Sequence, residues 1–203
     1  MSETTNYSKK TEKGQSFVEL MLVLIFMVMF ILGIVEFGTL LNEYLNLVDG
    51  AREAARIISD YDPEEDPFPA FEEEAIRIAT EVMAPLELKQ SLGDDIVISY
   101  FIVGKEASDP NPHDAFARYP IDPDTLVVFA DGYKHMANQD SRFSDADIQA
   151  LVVDGTTLPR GIFLIEIFYN YPQQLKIPIF SDIVPDPIPV YTYVFMPLPR
   201  FKP

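Results

Sequence analysis

The hydrophobic pattern changes character three times along the chain. From Gln15 to Leu41 apolar residues are nearly continuous, and Leu20–Val35 is a run without a charge. Flanked by Gln15–Glu19 and Glu36–Leu41, it reaches the roughly 20 residues that cross a bilayer as a helix. Residues 15–41 are therefore expected to be a transmembrane segment. Next, Leu41, Tyr44, Val48, Ala51, Ala55 and Ile58 recur at alternating spacings of three and four. That is a seam suited to helix–helix packing. Glu43, Asp49, Arg52, Glu53 and Arg56 surround it, with Asp49–Arg52 and Glu53–Arg56 three apart. No proline occurs between Met1 and Pro63, so the pattern predicts one helix over about residues 16–59, roughly 65 Å long at 1.5 Å per residue. Its portion over 42–60 is amphipathic, and Gly33, Gly38 and Gly50 are expected soft points.

Asp60–Pro69 breaks this helix with acid- and proline-rich turns. A second helix is predicted over Phe71–Ala84, with Phe71, Ala75, Ile78, Ala79, Val82 and Met83 on one face. Glu72–Glu74 lie in its first turn, where a helix favours negative charge, and Pro85 ends it. Thereafter the period becomes two. Asp95–Gly104, Gly161–Tyr171 and Ile188–Met196 read as strands. In the second, Phe163, Ile165, Ile167, Tyr169 and Tyr171 form one apolar face, and Glu166 and Asn170 stand on the other, which predicts one-sided burial. Leu126–Ala130 is expected to add a short strand and Ser144–Leu151 a short capped helix. The layout is α+β: a long N-terminal helix, half membrane and half amphipathic, packed on a small antiparallel β-sheet domain over residues 61–203.

Charge sets the expected topology. Lys9, Lys10 and Lys13 stand just before the apolar run, and positions 14–51 contain no Lys or Arg. Basic residues mark the cytoplasmic side of a membrane helix. The N-terminus is thus expected inside and the domain outside, a single-pass protein of the cytoplasmic membrane. A cleaved secretory signal fits poorly, because the run is too long and Val35-Glu36-Phe37-Gly38 lacks small residues at the required positions.

One acid stands inside this segment. Glu19 lies five residues after Gly14, and an ionised group in hydrocarbon costs at least several kcal/mol, so it is a candidate functional residue. Ser16-x-x-Glu19 also fits a capping box, with Ser16 as N-cap.

Composition removes whole classes of function. The 203 residues carry a formal net charge of −17 and no cysteine. Without residues 1–14, which hold three lysines and two glutamates, the charge is −18. That sign opposes binding to nucleic acid. The absence of cysteine excludes disulfides and thiolate metal sites. No Walker-type loop, GxGxxG, HExxH or GxSxG motif occurs. His113 and His135, the only histidines, fall in turn-rich sequence away from any nucleophile motif. No enzyme is expected, and no cofactor. Calcium is the one ligand with candidate acids, at Asp60, Asp62, Glu64, Glu65 and Asp66 and at Asp140, Asp145 and Asp147. Neither cluster has the glycine and distal glutamate of an EF-hand loop, so capping and turn roles are expected.

The Gly14/Glu19 leader, the long helix and the small sheet domain together resemble type IV pilins and pseudopilins. Within that group Val18–Leu20 (VEL), Gly33–Leu41 (GIVEFGTLL) and Ala51–Arg56 (AREAAR) are similar to the TadE-like proteins of tight-adherence pilus systems. The resemblance implies a pilin-like fold and a leader peptide over residues 1–14. A prepilin peptidase would cut after Gly14 and leave Gln15 as the first mature residue, often N-methylated, although many type IV pilins begin with an aromatic residue there. Glu19, fifth in the mature chain, would then face the amino terminus of a neighbouring subunit and fix register. Implied partners are other pilin or pseudopilin subunits, the peptidase and the inner-membrane assembly platform. The implied role is a pseudopilin or minor pilin. The alternatives are a major pilin that forms the filament, and a membrane-anchored binding domain that never polymerises.

Overall fold

A computed structural model describes residues 11–60, 70–105, 114–119, 131–151, 160–177 and 184–198. Helix α1 runs unbroken over Thr11–Ile58, 48 residues, about 72 Å at 1.5 Å per residue. It begins before Ser16, so the expected capping box does not form. Residues Thr11–Lys13 carry no breaker, and helix propagates through Gly14 because one glycine costs only about 1 kcal/mol. None of the three glycines after it interrupts the helix either. Gly50 is a packing contact: a Cβ there would lie 2.5 Å from Met83 Cγ and 3.0 Å from the Ala79 carbonyl oxygen.

Helix α2 spans Ala70–Met83. Among the described residues five strands come after α2: β1 (Asp95–Lys105), β2 (Asp114–Tyr119), β3 (Tyr133–Lys134), β4 (Arg160–Tyr171) and β5 (Ile188–Leu198). Between β3 and β4 stands helix α3 (Asp145–Leu151). The sheet is antiparallel throughout, in the order β2-β1-β4-β5, with β3 sharing the β2 edge of β1. The expected helix α2 and strands β1, β4 and β5 are all present to within two residues at each end. The expected strand at Leu126–Ala130 lies outside the described residues.

The main core forms where α1 and α2 lie on the sheet. Leu47, Ala51, Ala54, Ala55 and Ile58 of α1 meet Phe71, Ala75, Ala79 and Met83 of α2, all buried. Beneath them sit Ile96, Ile98 and Tyr100 of β1 and Phe163, Ile165, Ile167, Tyr169 and Tyr171 of β4. Phe71 stacks edge-on against Tyr100 and Phe163 at 5.2 and 5.8 Å. Small residues on α1 let the two helices approach closely, as at Gly50.

The far face of the sheet is covered too, against the expectation of one-sided burial. Leu164, Glu166 and Phe168 are buried there, and Phe143 and Ile148 pack over Phe101 and Leu164. Glu166 is acceptable in this position because it is fully engaged. Its oxygens accept from the Tyr191 hydroxyl at 2.7 Å, the Arg142 N–H at 2.9 Å and the Ser141 hydroxyl. Asp95 holds the same segment from its other end, accepting N–H groups of Met136, Asn138 and Gln139 at 2.7–3.0 Å. Buried carboxylates thus serve as anchors for backbone that has no ladder of its own.

Candidate functional site

From Gly14 to Val28 every residue of α1 is exposed. Phe17, Leu20, Phe26 and Phe30 are 60–71% exposed. The helix is long and apolar enough to cross a membrane, and none of its most apolar stretch is buried. A core helix of a soluble domain would be covered. Exposure on this scale needs lipid or other helices. Within the stretch, Glu19 accepts a 3.0 Å hydrogen bond from the Gln15 side-chain amide one turn earlier. Gly14 has nothing within 4 Å of its open side. Gly14, Gln15 and Glu19 therefore lie together on an accessible helix end. Lys9 and Lys10, and the side chain of Lys13, lie outside the described residues.

The expected packing seam divides in two. Leu41 and Tyr44 are exposed, at 46% and 37%, and Val48 is half-buried. Ala51, Ala55 and Ile58 are completely buried against the chain's own domain. The upper half of the seam is intramolecular core, and the lower half is open. Of the two charge pairs, Glu53–Arg56 forms, at 2.6 Å. It is solvated and contributes little.

The junction between helix and domain centres on a residue that sequence reasoning treated only as part of the span. Glu36 is 2% exposed. One of its oxygens accepts from the Tyr171 hydroxyl at 2.9 Å and the Gln174 N–H at 2.7 Å. The other accepts from the Leu175 N–H at 2.8 Å. Further along the helix, the Tyr169 hydroxyl donates to Glu43 at 2.7 Å. Tyr169 and Tyr171 are alternate residues of β4, so both point from the sheet toward α1. Burial, and then the carboxylate that each phenol serves, hold both tyrosines above the ordinary phenol pKa. They stay protonated donors at any physiological pH. The sequence did carry a signal: Glu36 is the second acid in the apolar run, where a charge is as costly as at Glu19.

The remaining candidates come apart. His135 is an exposed residue whose backbone N–H donates to the Ile96 carbonyl at 2.9 Å, and His113 lies outside the described residues. Asp140 pairs with Lys134, and Asp147 caps α3 by accepting from the Ser144 N–H at 2.9 Å and hydroxyl at 2.6 Å. Asp60 ends α1, and residues 62–66 lie outside the described set. Among the described residues no group of three or more metal-ligating side chains converges.

No curated protein and no solved structure matches the chain. A family model does, over the segment that carries the exposed helix, Gly14, Glu19 and Glu36, and it leaves residues 57–203 outside the match. Across residues 14–56 the chain matches the family described as TadE-like protein, and that segment is similar to the TadE-like proteins.

Proposed function

We propose that this chain is a pseudopilin or minor pilin of a tight-adherence pilus system. Residues 1–14 act as a leader, 15–41 span the inner membrane with the N-terminus cytoplasmic, and 42–60 carry the helix into an extracytoplasmic domain over 61–203. The role is structural. The observation that supports it is the apolar stretch of α1, exposed at every residue from Gly14 to Val28, with Glu19 as the only charge between Gly14 and Val35.

The mechanism follows from electrostatics in a low-dielectric setting. Cleavage after Gly14 by a prepilin peptidase frees the amine of Gln15. An amine and a carboxylate are each costly alone in hydrocarbon, and they satisfy one another when helices align in register. Within one chain Glu19 has a neutral amide partner. A cationic amine from a neighbouring subunit makes a stronger, charge-assisted bond. Gly33 and Gly38 leave the backbone open on their sides, which permits the close helix approach that packing in a membrane favours. Helices of other pilin subunits thus replace lipid as the subunit is taken up by the assembly platform.

The test compares Glu19→Leu and Glu19→Asp with the unaltered chain in cells assembling the pilus. Glu19→Leu is expected to reach the membrane at normal levels and to vanish from purified pilus and platform complexes, with Glu19→Asp intermediate. Equal incorporation of all three contradicts the register role, and absence of all three from pilus and platform complexes, the unaltered chain included, favours a non-polymerising anchor.

A further inference from the structure

Glu36 ties the domain to α1 level with the end of the membrane-length run. A hydrocarbon core of about 30 Å, measured from Phe17 along a helix rising 1.5 Å per residue, ends about 20 residues on, at Glu36 and Phe37. Glu36 is also where the connection after β4 touches α1, through the backbone of Gln174 and Leu175. A helical side chain leans toward its own N-terminus, here the apolar run, so the carboxylate draws that backbone toward the preceding turn. The burial pattern agrees. Met29 and Leu32, on the Glu36 face, are half-buried, whereas Val28, Phe30, Ile31 and Ile34 around them are exposed.

Two side chains at this tip are not used by the fold. Leu175 is 41% exposed although Gln173 and Ile177 beside it are buried. Lys176 stands in the left-handed region at φ 43°, with its side chain 73% exposed and a loose 3.7 Å pair to Asp186. A buried anchor followed by an outward leucine and an outward lysine suits a membrane interface. The apolar side chain enters the acyl boundary, and the amine remains among the phosphates.

We propose that the tip at residues 174–176 is a lipid-contact site: Leu175 inserts into the leaflet beside the domain, and Lys176 lies against the lipid phosphates. The site rests on the reading of α1 as membrane-spanning. The acidic domain is not drawn to the surface by charge. The helix tethers it there, and Glu36 aims the tip. Two attachments, α1 and Leu175, fix the tilt of the domain against the bilayer, so that subunits present the exposed Leu41–Tyr44 stripe in one orientation.

The chain contains no tryptophan, so a single introduced one reports alone. Three full-length variants, Leu175→Trp, Val28→Trp and Tyr193→Trp, are reconstituted in phosphatidylcholine vesicles with and without bromine placed both near the glycerol end and near the terminal methyls of the acyl chains. Val28 reports insertion of the helix, and Tyr193 is an exposed residue of β5. The proposal expects Leu175→Trp to shift to shorter wavelength and lose most of its emission to bromine, as Val28→Trp does, while Tyr193→Trp keeps its emission. If Val28→Trp is quenched and Leu175→Trp is not, the lipid contact is overturned and the membrane helix stands. A blue-shifted Leu175→Trp that bromine leaves bright means that protein covers the tip, which also overturns it. Loss of quenching at both positions overturns the contact together with the membrane reading.

Discussion

Glu36 and Tyr171, 135 residues apart in sequence, are joined by a 2.9 Å hydrogen bond at the point where the bare helix becomes the covered one. Below it α1 meets nothing of its own domain on most sides. Above it Leu47, Ala51, Ala54 and Ile58 are core. The same carboxylate takes the backbone of Gln174 and Leu175, so one side chain ties both β4 and the connection after it to the helix.

Removing that side chain is therefore expected to loosen the junction. Glu36→Ala leaves two backbone N–H groups and a phenol without an acceptor, which costs about 3 kcal/mol at 1–3 kcal/mol per orphaned donor, allowing for some rehydration. Tyr171→Phe removes one donor of three and costs about 1 kcal/mol. Chemical unfolding in micelles gives the energies. Amide exchange at Gln174 and Leu175 is expected to rise sharply in Glu36→Ala and little in Tyr171→Phe.

The two halves of the helix seam are expected to respond differently. Ile58→Ala empties buried volume in the core and costs about 2–5 kcal/mol of domain stability. Leu41→Ala and Tyr44→Ala, at exposed positions, are expected to change unfolding by less than about 0.5 kcal/mol and to reduce co-purification with neighbouring subunits. A large stability loss from Leu41→Ala would mean that the lower seam is intramolecular as well.

Glu72 gives the domain a pH dependence of unusual sign for a carboxylate. It is fully buried in the first turn of α2, and among the described residues no other residue offers its oxygens a hydrogen bond. Burial, with the neighbouring Glu73 adding to it, pushes its pKa up to about 7 from 4.5. The folded state thus binds the proton more tightly than the unfolded chain. Glu72 contributes no penalty below about pH 4.5, and stability falls as pH rises from there to about 7. At 1.36 kcal/mol per pKa unit the loss is about 3 kcal/mol above that window. Glu72→Gln is expected to flatten this part of the stability curve, and unfolding midpoints near pH 5 and pH 8 measure it. Equal slopes in both proteins would show that Glu72 ionises freely in the folded state.

How far the fold was legible depended on how much pattern each element carries. Strand β4 could be read because Phe163 to Tyr171 alternate without a break, and α1 because no proline interrupts it. Strands β2 and β3 carry too little. DAFARY is short and charged, and Tyr133–Lys134 is two residues long, paired only because β1 offers an edge. The second covered face was hidden because its lid contributes two apolar residues, Phe143 and Ile148, and the rest of the holding is done by Glu166 and Asp95 through backbone groups. No hydrophobic period reports such contacts. At the candidate site, Gly14 and Glu19 stood out because charge is rare in an apolar run. Glu36 stood in the same run and looked like its polar end, since its partners come from residues 171–175.

The measurement that tests the central claim most directly is the N-terminal residue of the membrane-inserted protein, read by intact mass with and without a co-expressed prepilin peptidase. The account expects a peptidase-dependent start at Gln15, which frees the amine that Glu19 of a neighbour receives. A chain that keeps its leader through Gly14 in both samples would contradict it and leave α1 as a plain membrane anchor.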